Sequence, residues 1–528
     1  MMKTLACLYD RIIANRLKKW LFFNENQTAF QKGKSTLIHI FTIRVLIEIA
    51  KKKNMTLYIA SMDIEKAFDI VPRLELLRKL IAKGIGRVML TALKHLYSLT
   101  TCVIKFNGLF SNSFHMLRGI RQGAASSVLL FNHFMDDLFR YLDDKCDCEE
   151  ILGNIHALIH ADDTILRSTN RDKFIHKCNE AATFFSTNKL KVNIGKSNFI
   201  VINSKSANDK VNFYINGRLL KNCNTIDYLG VTISEGGSLR HDIKNYIDKK
   251  RANVSIKFLN FCIANRNAPL SVKLNVLDSC VVSSLLYASE LWGKNFHDVE
   301  LIYRSGIKTA LDIRDNVSNE IIYIESNTYP LECKIMKTQL KFWVYIKKYC
   351  DQYPNSAISK IVLISEALDL SYIKHYQSLA RSYPDPRACQ ENLERSYKST
   401  WEHKLKAAAE NDNDSRLGTY YRLNPNLKSY VPRPQYIMEF ERKLITRFRT
   451  GSHSLNIELG RYSNTARENQ LCSCGNGIQT VWHIFKDCPL TEELHSNHAN
   501  LKEIFEDYNI HQSLLAITKA LKIPIGRT

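Results

Sequence analysis

Long hydrophobic runs are missing from this chain: nowhere do its 528 residues approach the roughly 18 consecutive apolar positions of a membrane span. The N-terminal stretch MMKTLACLYDRIIANRLKKWLFF is interrupted by Arg11, Arg16, Lys18 and Lys19 and has no small-residue cleavage site, so no secretory signal is expected. Close cysteine pairs are scarce. Fourteen Cys spread along the chain argue against a disulfide scaffold and for a reducing intracellular setting, nuclear or cytoplasmic. Repeats with a period of about 20 to 50 residues are absent too, which excludes solenoids and propellers. Acidic residues are in deficit, with 52 Asp and Glu against 74 Lys and Arg. The formal charge of +22 argues for a polyanionic partner. Apolar mass is plentiful: hydrophobic residues make up 45%, including 24 Phe and 24 Tyr, enough for folded cores.

The length suggests about three to four domains. Residues 1–235 alternate helical and strand-like pieces and read as one α/β unit. Within it, AFQKGKST (Ala29 to Thr36) leads into an apolar helix, the strand LYIASM runs into Asp63, and Pro72 suits a helix start. Asn107-Gly108 and Asn216-Gly217 mark hairpins. Residues 236–320 turn helical and basic, with Lys244, Lys249, Lys250, Arg251 and Lys257. A helical connector is expected over 321–440, broken by prolines and by an acidic, Asn-rich break at Glu410 to Asp414, and residues 441–528 form a basic C-terminal region.

Two segments concentrate acids. In SMDIEKAFDIV, Asp63 ends an apolar strand; in IHALIHADDTILRS, two apolar β-like runs flank Asp162 and Asp163. Adjacent acids at a hairpin tip repel, and a divalent cation removes that cost. Hard ions such as Mg²⁺ bind one or two carboxylates plus substrate phosphates. Two ions about 3.5 to 4 Å apart serve in-line displacement at phosphorus, which needs acids from two strands side by side. Taken singly, each segment reads better as a solvated turn formed by good turn residues.

The segment between them, RGIRQGAASSVLLFN, changes that balance. The order DxxxAFD, RQG with a small-residue run, then ADD resembles motifs A, B and C of reverse transcriptases, specifically the non-LTR (LINE-type) retrotransposon branch. ENQTAFQKGKST resembles its fingers segment, LKVNIGKSNFIVI its motif D and IDYLGVTIS its motif E, over roughly Leu5 to Ser234. The resemblance implies a right-hand polymerase with fingers, an α+β palm and a helical thumb over 236–320. It implies an RNA-directed DNA polymerase using two Mg²⁺ ions, with Mn²⁺ as alternative, an RNA template, a DNA primer or target, and dNTPs. Asp63 and Asp162 would hold both metals with Asp163 in the supporting position. Phe68 would be the steric gate against a ribose 2′-hydroxyl, Gln122 and Gly123 the contacts to incoming nucleotide and template, Lys32 and Lys34 the triphosphate contacts, and Lys196 the group near the pyrophosphate. Tyr228, Leu229 and Gly230 match the primer-grip turn. Two positions depart from the pattern: His160 replaces the aromatic before ADD, and Val128 replaces the proline of motif B. The chain shows no endonuclease ahead of the fingers, so a target nick is expected from elsewhere or from a longer parent protein. The rival readings are a catalytically inactive retrotransposon-derived nucleic-acid-binding protein and an intron-maturase-like enzyme; the tail argues against the latter.

In that tail, LCSCGNGIQTVWHIFKDCP brings Cys472, Cys474, His483 and Cys488 within one short span. Three thiolates and an imidazole satisfy a tetrahedral, structural zinc ion. Cys146 and Cys148 lack a comparable partner set. The tail, with KLITRFRTGSHSLNIELGRY, resembles that of non-LTR retrotransposon polyproteins. There Arg442, Lys443, Arg447 and Arg449 are expected to contact phosphates, and Phe448 and Trp482 to stack on bases.

Overall fold

The computed structural model describes residues 4–98, 100–149, 151, 153–411, 415–429, 438–494, 500–506 and 510–523. Contacts divide the chain into two compact units, Met1–Asn245 with Trp343–Ser378, and Tyr246–Phe342 with Leu379–Thr528.

The first unit begins with α1 (Thr4–Leu17), α2 (Thr36–Lys52), β1 (Leu57–Met62), α3 (Ala67–Ile70), α4 (Arg73–Ala82) and α5 (Arg87–Ser98). Short paired segments follow: β2 (Thr101–Cys102), β3 (Lys105–Phe106), β4 (Leu109–Phe110) and β5 (Phe114–His115). Then come α6 (Ala125–Lys145), the hairpin β6 (Ala157–His160) and β7 (Asp163–Ser168), α7 (Arg171–Thr187), β8 (Asn198–Ile202), β9 (Phe213–Ile215) and β10 (Arg218–Asn222). A separate hairpin pairs β11 (Thr225–Tyr228) with β12 (Val231–Ser234).

The sheet is six-stranded and mixed, in the order β6-β7-β1-β8-β10-β9. β1 is central and antiparallel to both β7 and β8, whereas β8 and β10 run parallel. Its mostly apolar sequence, LYIASM, follows from burial on both faces. Tyr58, Ala60 and Met62 join the core built with α6 and α7, while Ile59 meets Thr42, Ile43 and Leu46 of α2. Both Asn-Gly pairs adopt positive φ at both residues, the backbone of a two-residue hairpin turn. Asp10 of α1 caps α6, accepting from the Ser126 N–H at 3.2 Å and from the Ser126 hydroxyl.

Beyond Ser234 the chain is helical: α8 (Leu239–Ala264), α9 (Leu270–Val276), α10 (Ser283–Leu285), α11 (His297–Leu311), α12 (Asn319–Ser326), α13 (Leu331–Gln352), α14 (Ala357–Ala367), α15 (Ser371–Ser382), α16 (Pro386–Asn411), α17 (Arg416–Leu423), α18 (Glu439–Arg449), α19 (Asn456–Ser463), α20 (Val481–Lys486), α21 (Leu501–Glu506) and α22 (Ile510–Ala520). An α/β first part followed by a mainly helical remainder agrees with the sequence reading. Residues 412–414 of the expected break, and Pro432 and Pro434, lie outside the described residues. Among the described residues no helix is long and apolar enough to cross a membrane.

Residues 343–378 pack within the first unit. The Tyr345 hydroxyl donates to the Gly33 carbonyl at 2.8 Å and the Tyr349 hydroxyl to the Glu25 carbonyl at 3.1 Å. The Asn26 side chain accepts from the Ala357 N–H at 2.8 Å, and Phe41 packs on Tyr372 and Tyr376.

Candidate active site and Cys/His cluster

The register of β1 with β7 pairs Met62 with Thr164, so the next residue along β1, Asp63, emerges beside Asp163. Asp162 occupies the β6–β7 turn, where Ala161 holds φ +58. The N–H groups of Ala161 and Ala29 both point to Gln27 Oε1, at 3.4 and 3.2 Å. Burial raises the Asp163 carboxyl to about 6, and the charges of Asp162 and Asp63 add to the shift. Burial raises Asp162 as well; Asp63 reinforces the effect and Lys196 opposes it. Three half-buried carboxylates, with the ionisation of Asp162 and Asp163 disfavoured, form a hard oxygen donor set, and a divalent cation is the partner that relieves it.

The loop before β8 fixes the base of this site. Ser197 Oγ accepts from the Asp63 N–H at 3.0 Å, and the Asp63 carbonyl accepts from the Asn193 N–H at 2.8 Å. Of the three lysines nearby, Lys191 pairs with Glu65 at 2.7 Å and Lys189 with Glu75 at 3.8 Å. Lys196 is the one whose charge acts on Asp162.

Phe68 follows the turn after Asp63 and stacks on Phe131 of α6, centroids 4.8 Å apart. The segment carrying Gln122 and Gly123 is docked on that turn. The Ile120 N–H donates to the Phe68 carbonyl and the Gly119 N–H to the Val71 carbonyl, both at 2.8 Å, and Gln122 Nε2 donates to Asp69 Oδ1 at 3.1 Å. Gln122 and Gly123 are exposed, as is Lys32. Lys34 differs. Its Nζ donates to the carbonyls of Asn24, Glu25 and Gln27, and burial lowers it to about 8, so its charge is committed to holding the loop.

His160 accommodates its departure from the expected aromatic through a network of distant residues with no local sequence signal. Its Nδ1 is 2.9 Å from Thr28 Oγ1, and its ring meets His39 edge-on at 6.3 Å. His39 on α2 is buried and pushed down to about 3 by that burial, hence neutral. Its Nε2 faces the Asn26 carbonyl at 3.1 Å and so donates, leaving Nδ1 to accept from the Tyr228 hydroxyl at 2.9 Å. Burial and the nearby Asp163 charge keep that phenol protonated. Val128 lies in the first turn of α6, half-buried against the core.

In the second unit, Cys472, Cys474, His483 and Cys488 present ligand atoms that all lie within 4.8 Å of one another. Cys472 Sγ and Cys488 Sγ are 3.7 Å apart, and Cys474 Sγ is 3.2 Å from His483 Nε2. Thiolates around a tetrahedral zinc at about 2.3 Å are themselves about 3.8 Å apart, so the donor set and spacing fit that ion. Gly475 at φ +77 turns the chain between the ligands, and Thr480 caps α20 by accepting from the His483 N–H at 3.0 Å. The neighbouring basic helix is not a phosphate surface. Arg442 is paired with Glu439, Arg447 and Lys443 with Asp312, and Arg449 with Glu325. All three arginines are buried, and Phe448 is a core residue 1% exposed. Desolvating them required built-in acids. Of the tail residues expected to touch nucleic acid, Trp482 remains open, 41% exposed.

Residues 2–233 match the family model for reverse transcriptase (RNA-dependent DNA polymerase). The chain is 30% identical over 222 residues to a Pol polyprotein of the R2 retrotransposable element of Popillia japonica, covering 40% of this chain and 36% of that protein. It is 24% identical over 239 residues to the polyprotein of element R2DM of Drosophila melanogaster, covering 44% and 23%. In each comparison the matched stretch spans less than half of the relative's length. Among solved structures, telomerase from Candida tropicalis in complex with a fragment of telomeric RNA aligns at a TM-score of 0.33 and 13% identity, over 71% of this chain and 56% of that one.

Proposed function

Residues 2–233 form a reverse transcriptase domain of the non-LTR retrotransposon type, and from that premise we propose that the chain synthesises DNA on an RNA template by joining a dNTP to a primer 3′-hydroxyl. Asp63, Asp162 and Asp163 hold a pair of divalent cations, Mg²⁺ or Mn²⁺. When bound, such a pair supplies activation of the primer hydroxyl and charge stabilisation of the leaving oxygen. The chain's own groups do the rest. Phe68, braced by Phe131, fills the space a ribose 2′-hydroxyl would need. Gln122 and Gly123 receive the incoming nucleotide and the template base, with glycine allowing close backbone approach. Lys32 reaches the triphosphate while Lys34 holds the loop that presents it, and Lys196 delivers a proton to the departing pyrophosphate. Exposed Lys249, Arg251 and Lys257 of α8 contact duplex phosphates. Cys472, Cys474, His483 and Cys488 hold a structural zinc ion.

The observation that carries the reading is the β1–β7 register, which sets Asp63 beside the Asp162–Asp163 turn. The test is primer extension on poly(rA) with oligo(dT), dTTP and Mg²⁺. Templated synthesis that disappears in Asp162→Asn supports it. No synthesis from folded protein that still binds RNA overturns it in favour of a non-catalytic nucleic-acid-binding protein.

A further inference from the structure

The second unit contains a pocket that the polymerase reading leaves unused. Arg416, Arg422, Arg449 and Arg461 line it together with His453 and Trp482. Three of these guanidiniums bond to two acids: Glu458 accepts from Arg416 and Arg461, and Glu325 accepts from Arg449 and from the Tyr420 hydroxyl. His453 adds no charge, because burial together with Arg314, Arg416 and Arg461 keeps it neutral. Among the described residues Arg422 pairs with neither acid, and its buried Nε has no hydrogen-bond partner. A buried guanidinium N–H without a partner is an anion site in waiting.

The enclosed space is about 20 Å³. A water needs about 10 to 15 Å³ by the same measure, so only one or two atoms such as phosphate oxygens enter, and a base does not. Trp482 supplies the other half: it lines the pocket and remains 41% exposed although Val481, His483 and Ile484 around it are buried. The Cys/His cluster and the Thr480 cap fix that helix turn.

We propose that this pocket binds one nucleotide of a single-stranded nucleic acid, with a phosphodiester oxygen on Arg422 between Arg416 and Arg461 and an unstacked base on the Trp482 indole. Arginine forks match phosphate, and an indole stacks on any base, so the site selects strandedness and not sequence. It goes beyond the polymerase reading and does not depend on catalysis.

The experiment uses the full chain with labelled rU12 and dT12 and with inorganic phosphate as competitor. Arg422→Gln is expected to weaken oligonucleotide binding about 5- to 10-fold and to lower the slope of log affinity against log salt by about 0.7, the share of one single-strand phosphate. Trp482→Ala is expected to weaken it at least about 5-fold, with Trp482→Phe within about 2-fold of the parent. A loss confined to rU12 assigns the occupant to RNA, one confined to dT12 assigns it to DNA, and a loss with both assigns it to either strand; all three support the site. Unchanged affinity and salt slope in variants that keep the parent's zinc content and thermal midpoint overturn it. So does full competition by millimolar inorganic phosphate without any effect of Trp482→Ala, which would leave an anion site and no nucleotide. Since the readout is binding, an inactive polymerase would leave this result interpretable.

Discussion

Gly119→Ala isolates the docking of the Gln122–Gly123 segment on the turn that carries Phe68. At φ +85, a β-carbon on residue 119 would lie 2.5 Å from the Asp69 carbonyl oxygen and 2.9 Å from its carbon. Both are backbone atoms, so no side chain swings aside. Carbon and oxygen in contact keep about 3.3 Å, so the two segments must part by about 0.8 Å. The left-handed backbone adds about 1–2 kcal/mol for any residue with a β-carbon. That parting stretches the 2.8 Å bonds from Gly119 to Val71 and from Ile120 to Phe68, and moves the Phe68 ring away from Gln122, the two groups proposed to meet the incoming nucleotide. A displacement near 1 Å costs about 100-fold in a positioned reaction. The expected outcome is therefore a fall of about 100-fold in the rate of single-nucleotide incorporation and a reduced preference for dNTPs over rNTPs, with a drop of only a few degrees in thermal midpoint. Rapid-quench incorporation and a melting curve on the same preparation decide it. A parental rate at a parental midpoint would refute the reasoning.

Other consequences are equally direct. Asp162→Asn removes a charge that Asp63 and Asp163 oppose, so the metal-free protein should melt no lower than the parent while incorporation falls by at least about 1000-fold; a lower melting point would contradict the repulsion described. Chelation, or Cys488→Ser, should release about one zinc equivalent and expose the core of Ile484, Phe485 and Phe505, read as lost protection from proteolysis in the C-terminal region. His453 gives a pH dependence: its pKa near 4 lies below the ordinary 6.5, so above pH 6.5 it contributes nothing. As pH falls from 6.5 toward 4, the unfolded chain takes up a proton that the folded one refuses, at a cost of about 2 kcal/mol by pH 5. Urea midpoints at pH 7 and 5 should converge in His453→Gln relative to the parent; an equal pH effect in both would exclude His453 as the source.

What the sequence revealed was local chemistry with a fixed period or spacing. Asn107-Gly108 and Asn216-Gly217 specify turns by backbone preference, and the spacing of Cys472, Cys474, His483 and Cys488 specifies one loop and one helix end. The juxtaposition of Asp63 with Asp162 was legible only through the ordered motifs, because either acidic segment alone reads as a solvated turn. Partnership between distant residues was not legible. Arg442, Arg447 and Arg449 read as a basic surface because Asp312 and Glu325, which neutralise two of them, are more than a hundred positions away. Lys34 reads as a free cation until the loop carbonyls that claim it are seen. His39 inside α2 carried no signal, since a histidine in an apolar helix meets Tyr228 only after folding.

The return of residues 343–378 to the first unit means that similarity and packing draw different borders. A protein cut at residue 233, where the family match ends, would forfeit Tyr345, Tyr349 and the Ala357 N–H, and with them the brace on Gly33, Glu25 and Asn26. The loop bearing Lys32 would then keep only its contacts within the matched stretch, such as those of Lys34 and Asn132, and Phe41 would lose its contacts with Tyr372 and Tyr376. The first compact unit is discontinuous in the sequence, and an excision that keeps only the matched stretch removes the tyrosines and the helix start that brace the loop before α2.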